Sequence, residues 1–136
     1  MTTEKKTIPK GELILRTLAM PANTNANGDI FGGWVMSQMD IAGAILAKEV
    51  SRGRVVTIAV DSMKFIEPVS VGDTVCVHGE VSRVGTTSIA IALQVWVRKS
   101  YAPQVGEPVR QQVTEALFTY VAIDDNGNKR KVPSRC

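Results

Sequence analysis

One segment constrains the fold of this chain more than any other: Trp34 to Val50, WVMSQMDIAGAILAKEV. It is rich in Met, Ala, Leu and Gln, residues that lose little on entering a helix. Only Ser37, Gln38, Asp40, Lys48 and Glu49 are polar. A helix with apolar residues on almost every face is expected to be buried on almost every face. Ser51-Arg52-Gly53 follows, which predicts a stop with glycine near the C-cap.

Strands flank that helix. Leu13 to Met20 reads as a strand ended by Pro21, and the loop AlaAsnThrAsnAlaAsnGly (22–28) carries a turn signal at Asn27-Gly28. After the helix, Val55 to Ile66 is β-branched apart from Asp61, Ser62 and Lys64, and Val71-Gly72-Asp73 reads as a turn. Thr74 to Gly85 alternates, with Val75, Val77 and Val81 on one face and Thr74, Cys76, His78, Glu80 and Ser82 on the other. From Thr87 to Lys99, residues Ile89, Ile91, Leu93, Val95 and Val97 share a face; a loop with Pro103, Gly106 and Pro108 leads to a last strand over 109–123.

The order β-α-β-β-β-β places four strands in succession with short turns, which favours an antiparallel sheet and an α+β domain. One helix covers one face of such a sheet, and the sheet curls around it. A helix this apolar also needs cover on its far side, so the pattern predicts a homodimer at least. A polar tail is expected over 1–12, a single domain over 13–123 and a basic tail over 124–136.

Charge narrows the choice of partner. The 136 residues carry a formal +3, which alone suggests an anionic partner. Residues 1–12 hold three Lys against two Glu and residues 124–136 four Lys or Arg against two Asp, which leaves nine of each sign in the body. A neutral body with few aromatics argues against nucleic acid. Lys129, Arg130 and Lys131 read as a solvated terminus, or as phosphate contacts if the tail folds back.

Scarcity narrows the chemistry. The chain has one histidine (His78) and two distant cysteines (Cys76 and Cys136), so a multi-imidazole zinc site and a CxxC knuckle are excluded. A reduced, cytoplasmic protein fits better than a disulfide between these two. The opening residues MTTEKKTIPK have no apolar core, so no secretory leader is expected, and no run is long enough to span a membrane. There is no G-x-S-x-G elbow, phosphate loop or dinucleotide fingerprint. On the polar face of its strand, His78 reads as solvated or cross-strand rather than catalytic.

Asp40 is the anomaly. It lies in mid-helix among Met36, Met39, Ile41, Ala42, Ala44, Ile45 and Leu46. An unpaired carboxylate there costs several kcal/mol, so it is expected either to have partners or to take up a proton more readily. Gly43, Ala44 and Ala47 on its face are small, which leaves room for something to approach. Gly32-Gly33 at the helix entry can bring backbone N–H groups close to a carbonyl oxygen gaining charge, or can serve a tight turn. They lie about two turns, roughly 10 Å, from Asp40. Asn23, Asn25 and Asn27 suit turns, and one of them could orient a water or a carbonyl.

The run Met20-Pro-Ala-Asn-Thr-Asn-Ala-Asn-Gly-Asp-Ile-Phe-Gly-Gly-Trp-Val-Met-Ser-Gln-Met-Asp40 resembles the hotdog-fold acyl-CoA thioesterases, most closely those of the bacterial YciA type. GlyAlaIleLeuAlaLys (43–48), GlyArgValValThr (53–57), ProValSerValGlyAsp (68–73) and ValTrpVal (95–97) extend it over nearly the whole domain. The resemblance implies a long helix wrapped by an antiparallel sheet and hydrolysis of acyl-CoA to a free acid and CoA, with no metal or bound cofactor. It implies that Asp40 is the nucleophile or the base for a water, that the Gly32 and Gly33 amides polarise the thioester carbonyl, and that Asn25 assists. It implies sites between subunits and dimers assembled into a hexamer. Arg83, Thr86, Thr87 and Ser88 are the expected CoA contacts, without a sharp motif; the short tail ending after Arg135 leaves any contribution from a longer family tail open. Two other readings remain on this fold: a dehydratase, which would pair a helix acid with His78, and a non-catalytic acyl-CoA-binding regulator.

Overall fold

In the computed structural model, residues 8–99 and 110–133 are described. The elements run β1 (Glu12–Leu18), α1 (Gly32–Ser51), β2 (Val55–Phe65), β3 (Thr74–Val84), β4 (Ser88–Arg98) and β5 (Arg110–Ala122), with a short 3-10 turn at Pro21–Asn23. All five strands form one antiparallel sheet in the order β1-β3-β4-β5-β2, and α1 packs across it. The expected element order is observed. The loop with Pro103, Gly106 and Pro108, the first residue of the expected last strand (Val109), Arg135 and Cys136 lie outside the described residues.

The helix turns one stripe to the sheet. Val35, Met39, Ala42 and Leu46 recur at spacings of three or four and, with Ala47, are buried against Val75, Val77, Ile89, Ile91, Leu93, Val95 and Val97. The β3 and β4 alternation read from sequence therefore points as expected. Outward-facing Cys76 and Trp96 are nonetheless also buried.

Burial on almost every face is not what a single chain shows. Met36, Ile41 and Ile45 are 36%, 49% and 40% exposed on the far side of α1. Nor does the helix begin or end where expected. Gly32 and Gly33 are its first two residues, and its C-cap is Arg52 in the left-handed region (φ 57°), not Gly53. Gly53 has a different task, because the Arg130 guanidinium occupies the space its side chain would need.

Arg130 corrects the view of the basic tail. Its guanidinium donates to the carbonyls of Ser51 (2.8 Å), Ile123 (2.9 Å) and Arg54 (3.3 Å) and to the Ser51 hydroxyl (3.2 Å). Those acceptors include the exposed carbonyl end of α1, where a cation is favoured. This arginine is spent on the fold and is not a free phosphate contact, whereas Lys129 and Lys131 are exposed.

Two features were not foreseen. β2 carries a register shift between Asp61 and Lys64, with Ser62 at φ 55°, as a bulge requires. Fully buried Asp73 anchors the turn before β3: its Oδ2 accepts from the Ser70 N–H (3.0 Å) and from Lys99 Nζ (3.3 Å).

Candidate active site

Asp40 is half-buried rather than sealed in the core. Its carboxylate has partners, as its position demanded. Thr57 Oγ1 on β2 donates to Asp40 Oδ1 at 2.5 Å. The Tyr120 hydroxyl on β5 lies 3.1 Å from the same Oδ1 and 2.9 Å from the Asp40 backbone oxygen. Thr57 and Tyr120 face each other across the β2–β5 pair, so adjacent strands present both donors to one helix residue. Oδ2 accepts no hydrogen bond from the described residues.

The space beside Asp40 belongs to Tyr120. A side chain at Gly43 would collide with the Tyr120 hydroxyl and ring. Tyr120 is fully buried, and burial, followed by the charge of Asp40, pushes its hydroxyl well above the ordinary tyrosine value. The phenol therefore keeps its proton and acts as a donor. Neither Thr57 nor Tyr120 was singled out from the sequence; the available signal was Gly43, a helix-interior glycine one turn beyond an acid.

At the other end of the helix, the first amides are uncapped. Trp34 and Val35 N–H groups both return to the Phe31 carbonyl, at 3.1 and 3.2 Å. Phe31 offers no side-chain cap. The Gly32 and Gly33 N–H groups have no acceptor among the described residues, as expected of a free helix N-terminus. Neither glycine has a positive φ, which removes the tight-turn explanation. At Gly32 the Phe65 ring comes within 3.3 Å of where a side chain would start, whereas Gly33 faces open space with nothing within 4 Å.

Asn25 is placed beside this entry. Its Oδ1 accepts from the N–H groups of Asn27 (2.9 Å) and Asp29 (3.2 Å), an Asx turn that holds the loop. That leaves the amide NH2 for another acceptor. Asn25, Gly32, Val35, Phe65, Pro68 and Thr114 line an open cavity of about 340 Å³. The Thr114 hydroxyl is buried there with no partner among the described residues.

Asn25 and Gly32 thus share one cavity, while Asp40 sits about two turns along the helix with Thr57 and Tyr120. A single chain does not close the gap. Arg83 lies near the end of β3, Thr86 and Thr87 in the β3–β4 turn, and Ser88 opens β4. The Thr86 and Thr87 carbonyls accept from Val132 and Ala122 N–H (2.8 and 2.9 Å), while the Arg83 and Thr86 side chains are exposed. Ser88 pairs with Val121, next to Tyr120, so this turn lies at the Asp40 end of the sheet.

His78 stands apart from all of this. It pairs with Leu13 and Gln94 on the β1 side, and its Nδ1 lies 3.3 Å from the Gly11 carbonyl. The acid–histidine pair of a dehydratase is not assembled within the chain. No group of three or more His, Cys, Asp or Glu capable of holding a metal occurs among the described residues. Among the described residues, no helix is long and apolar enough to cross a membrane.

Comparison with known proteins identifies the family. The family model described as the thioesterase superfamily matches residues 27–103. The acyl-CoA thioester hydrolase YciA of Salmonella typhimurium is 59% identical over 133 residues, covering 98% of each chain. The solved aspartate-to-alanine mutant of a hexameric broad-specificity acyl-coenzyme A thioesterase has a TM-score of 0.86 at 60% identity, covering 93% of this chain and 89% of that one. A hexameric hotdog-fold thioesterase of Campylobacter jejuni has a TM-score of 0.83 at 43% identity, covering 90% and 91%. With 59% identity to a YciA hydrolase over 98% of the chain and a family model over more than half of it, the chain belongs to the thioesterase superfamily, among the hotdog-fold acyl-CoA thioester hydrolases of the YciA type.

Proposed function

We propose that this protein hydrolyses acyl-CoA thioesters to a free carboxylic acid and CoA. One observation carries the reading: a single helix offers uncapped amides at Gly32 and Gly33 and, in its middle, a partnered carboxylate at Asp40. The activity named for relatives that match nearly the full chain supports it.

The thioester oxygen accepts from the Gly32 and Gly33 N–H groups, at the positive end of the helix, and these donors strengthen as charge develops on it. The Asp40 carboxylate then acts in one of two ways. It adds to the carbonyl carbon, giving an anhydride that water opens, or it takes a proton from a water that adds instead. Either way the C–S bond breaks, the sulfur leaves as thiolate and is protonated, and one water is consumed. The free amide of Asn25 donates to that water or carbonyl. The route needs no metal and no bound cofactor, since CoA is part of substrate and product. Arg83, Thr86, Thr87 and Ser88 are proposed to contact CoA, the exposed guanidinium serving its phosphates.

The gap between Asp40 and the amides is closed by a second copy. Two exposed apolar surfaces support this: Met36, Ile41 and Ile45 on α1, and Val56, Ile58 and Val60 on β2, an edge strand with β5 on one side only. We place Asp40 of one copy against the asparagine–glycine cavity of the other, in dimers assembled into a hexamer like the hexameric neighbours. A cytoplasmic location is part of the same proposal, supported by the free, buried Cys76 thiol.

Thiol release from acyl-CoA substrates of increasing chain length, followed by thiol trapping, tests the activity and ranks the acyl groups together. Asp40→Asn is expected to lose at least about 100-fold in kcat with its circular dichroism unchanged. Turnover surviving that substitution removes Asp40 from the mechanism. Label found in the Asp40 carboxylate after a single turnover in heavy-oxygen water identifies Asp40 as the nucleophile, since the general-base route places it only in the product acid.

A further inference from the structure

We propose that Tyr120 is a positioning residue for Asp40, its hydroxyl reaching through the gap at Gly43 to hold Oδ1 so that Oδ2 is the reacting atom. The inference rests on the role of Asp40 proposed above and adds which oxygen works and what holds it.

A carboxylate on a helix surface can swing about its χ2 bond, and its two oxygens then exchange places. Here they are not equivalent. Oδ1 lies 2.5 Å from Thr57 Oγ1 and 3.1 Å from the Tyr120 hydroxyl, whereas Oδ2 receives no donor from the described residues. The two donors differ in kind. Thr57 is exposed, and its hydroxyl has other acceptors in water. Tyr120 is fully buried, and both acceptors for its hydroxyl proton, Oδ1 and the backbone oxygen, belong to Asp40, with the Thr57 hydroxyl beside it. A buried phenol needs a partner, and its one proton is shared between two oxygens of Asp40, so the hydroxyl stays against that residue and keeps Oδ1 on the Tyr120 side.

The rest of the neighbourhood is built around that reach. Glycine in a helix interior costs about 1 kcal/mol relative to alanine, and Gly43 is where the chain accepts that cost. Any side chain there would occupy the position of the Tyr120 hydroxyl. Phe118, two residues before on β5, stacks on the Tyr120 ring with centroids 6.4 Å apart, which limits the ring's movement. Burial and the Asp40 charge keep the hydroxyl protonated. A fixed proton donor on one oxygen pre-orients the other, and misplacing a reacting group by about 1 Å can cost about 100-fold.

The test is Tyr120→Phe in the full-length protein, assayed for acyl-CoA hydrolysis beside Asp40→Asn. If Tyr120 positions Asp40, kcat falls about 10- to 100-fold and KM stays within about twofold, because substrate contacts are untouched. A loss of packing alone lowers the fraction of active protein, which active-site titration and the melting curve report, and does not lower kcat per active site. Unchanged kcat per active site overturns the inference, as does a rise in KM that accounts for the whole loss. Should Tyr120→Phe fail to fold, Gly43→Ala, whose methyl displaces the hydroxyl with the phenol present, is read for the same split and by the same criteria. If Asp40→Asn is inactive while Tyr120→Phe is fully active, only the role of Tyr120 falls. If Asp40→Asn is fully active, the role of Asp40 falls and this inference with it.

Discussion

The Tyr120 hydroxyl occupies the volume that a side chain at Gly43 would need, and from there it meets both the carboxylate and the backbone oxygen of Asp40. One missing methyl group therefore links the packing of α1 on β5 to the geometry of the acid. The same pair explains a glycine in the middle of an otherwise strong helix.

Gly43→Ala tests that link thermodynamically, since two effects oppose each other. Alanine raises helix propensity by about 1 kcal/mol. Overpacking a core typically costs about 1–3 kcal/mol, and the collision here involves ring atoms as well as the hydroxyl. The overlap is expected to win, with a net loss of about 1–2 kcal/mol in denaturant unfolding. A stabilised Gly43→Ala protein would show that Tyr120 can leave its place freely.

The pH dependence of stability follows from His78. Burial lowers its value from 6.5, the hydrogen bond to the Gly11 carbonyl opposes this in part, and the charges of Arg110 and Arg16 add smaller downward pushes. The fold thus prefers the neutral ring, and between the two values the unfolded chain binds the extra proton. This contribution is fully present above about pH 6.5 and is lost as pH falls through the folded value. His78 is the only histidine, so its imidazole signals in a magnetic resonance titration are unambiguous. Their midpoint is expected below 6.5. His78→Gln is expected to narrow the difference in melting temperature between about pH 7.5 and pH 5. A midpoint above the ordinary value contradicts this account.

Much of the fold is legible in local pattern, and the misses have physical causes. Alternation in β3 and β4 is a period-two signal that any one-sided burial imposes, so Val75, Val77, Ile89, Ile91 and Leu93 were assignable. The expected helix runs from Trp34 with Gly32-Gly33 at its entry, and the two glycines form its first residues without a positive φ, their N–H groups lacking an acceptor among the described residues. Arg52 takes the left-handed C-cap, and Gly53 lies bare under Arg130, a contact 77 residues apart that no local rule contains. The bulge at Ser62 was foreshadowed only by the Asp61-Ser62 interruption. At the site, Asp40 was visible as a polar residue in apolar surroundings. Thr57 and Tyr120 were not, because an exposed threonine and a strand tyrosine carry no local anomaly until β2 and β5 pair.

The apolar edge of β2 supplies the test of assembly. Ile58 is 58% exposed on a strand hydrogen-bonded on one side only, flanked by Val56 and Val60 at 42% and 37%. Long apolar edges of this kind bind another chain, whether by design or by aggregation. If the second copy covers this edge, Ile58→Asp places a carboxylate in an apolar interface at a cost of several kcal/mol. Light scattering should then show the mass falling from a multiple of the 14.7 kDa protomer toward the protomer itself. Because Asp40 and the Gly32–Gly33 amides are proposed to meet only between copies, thioesterase activity should fall with the mass, by at least about tenfold. A folded Ile58→Asp protein that keeps its assembly locates the interface elsewhere. One that dissociates yet stays fully active shows that a single chain closes its own site.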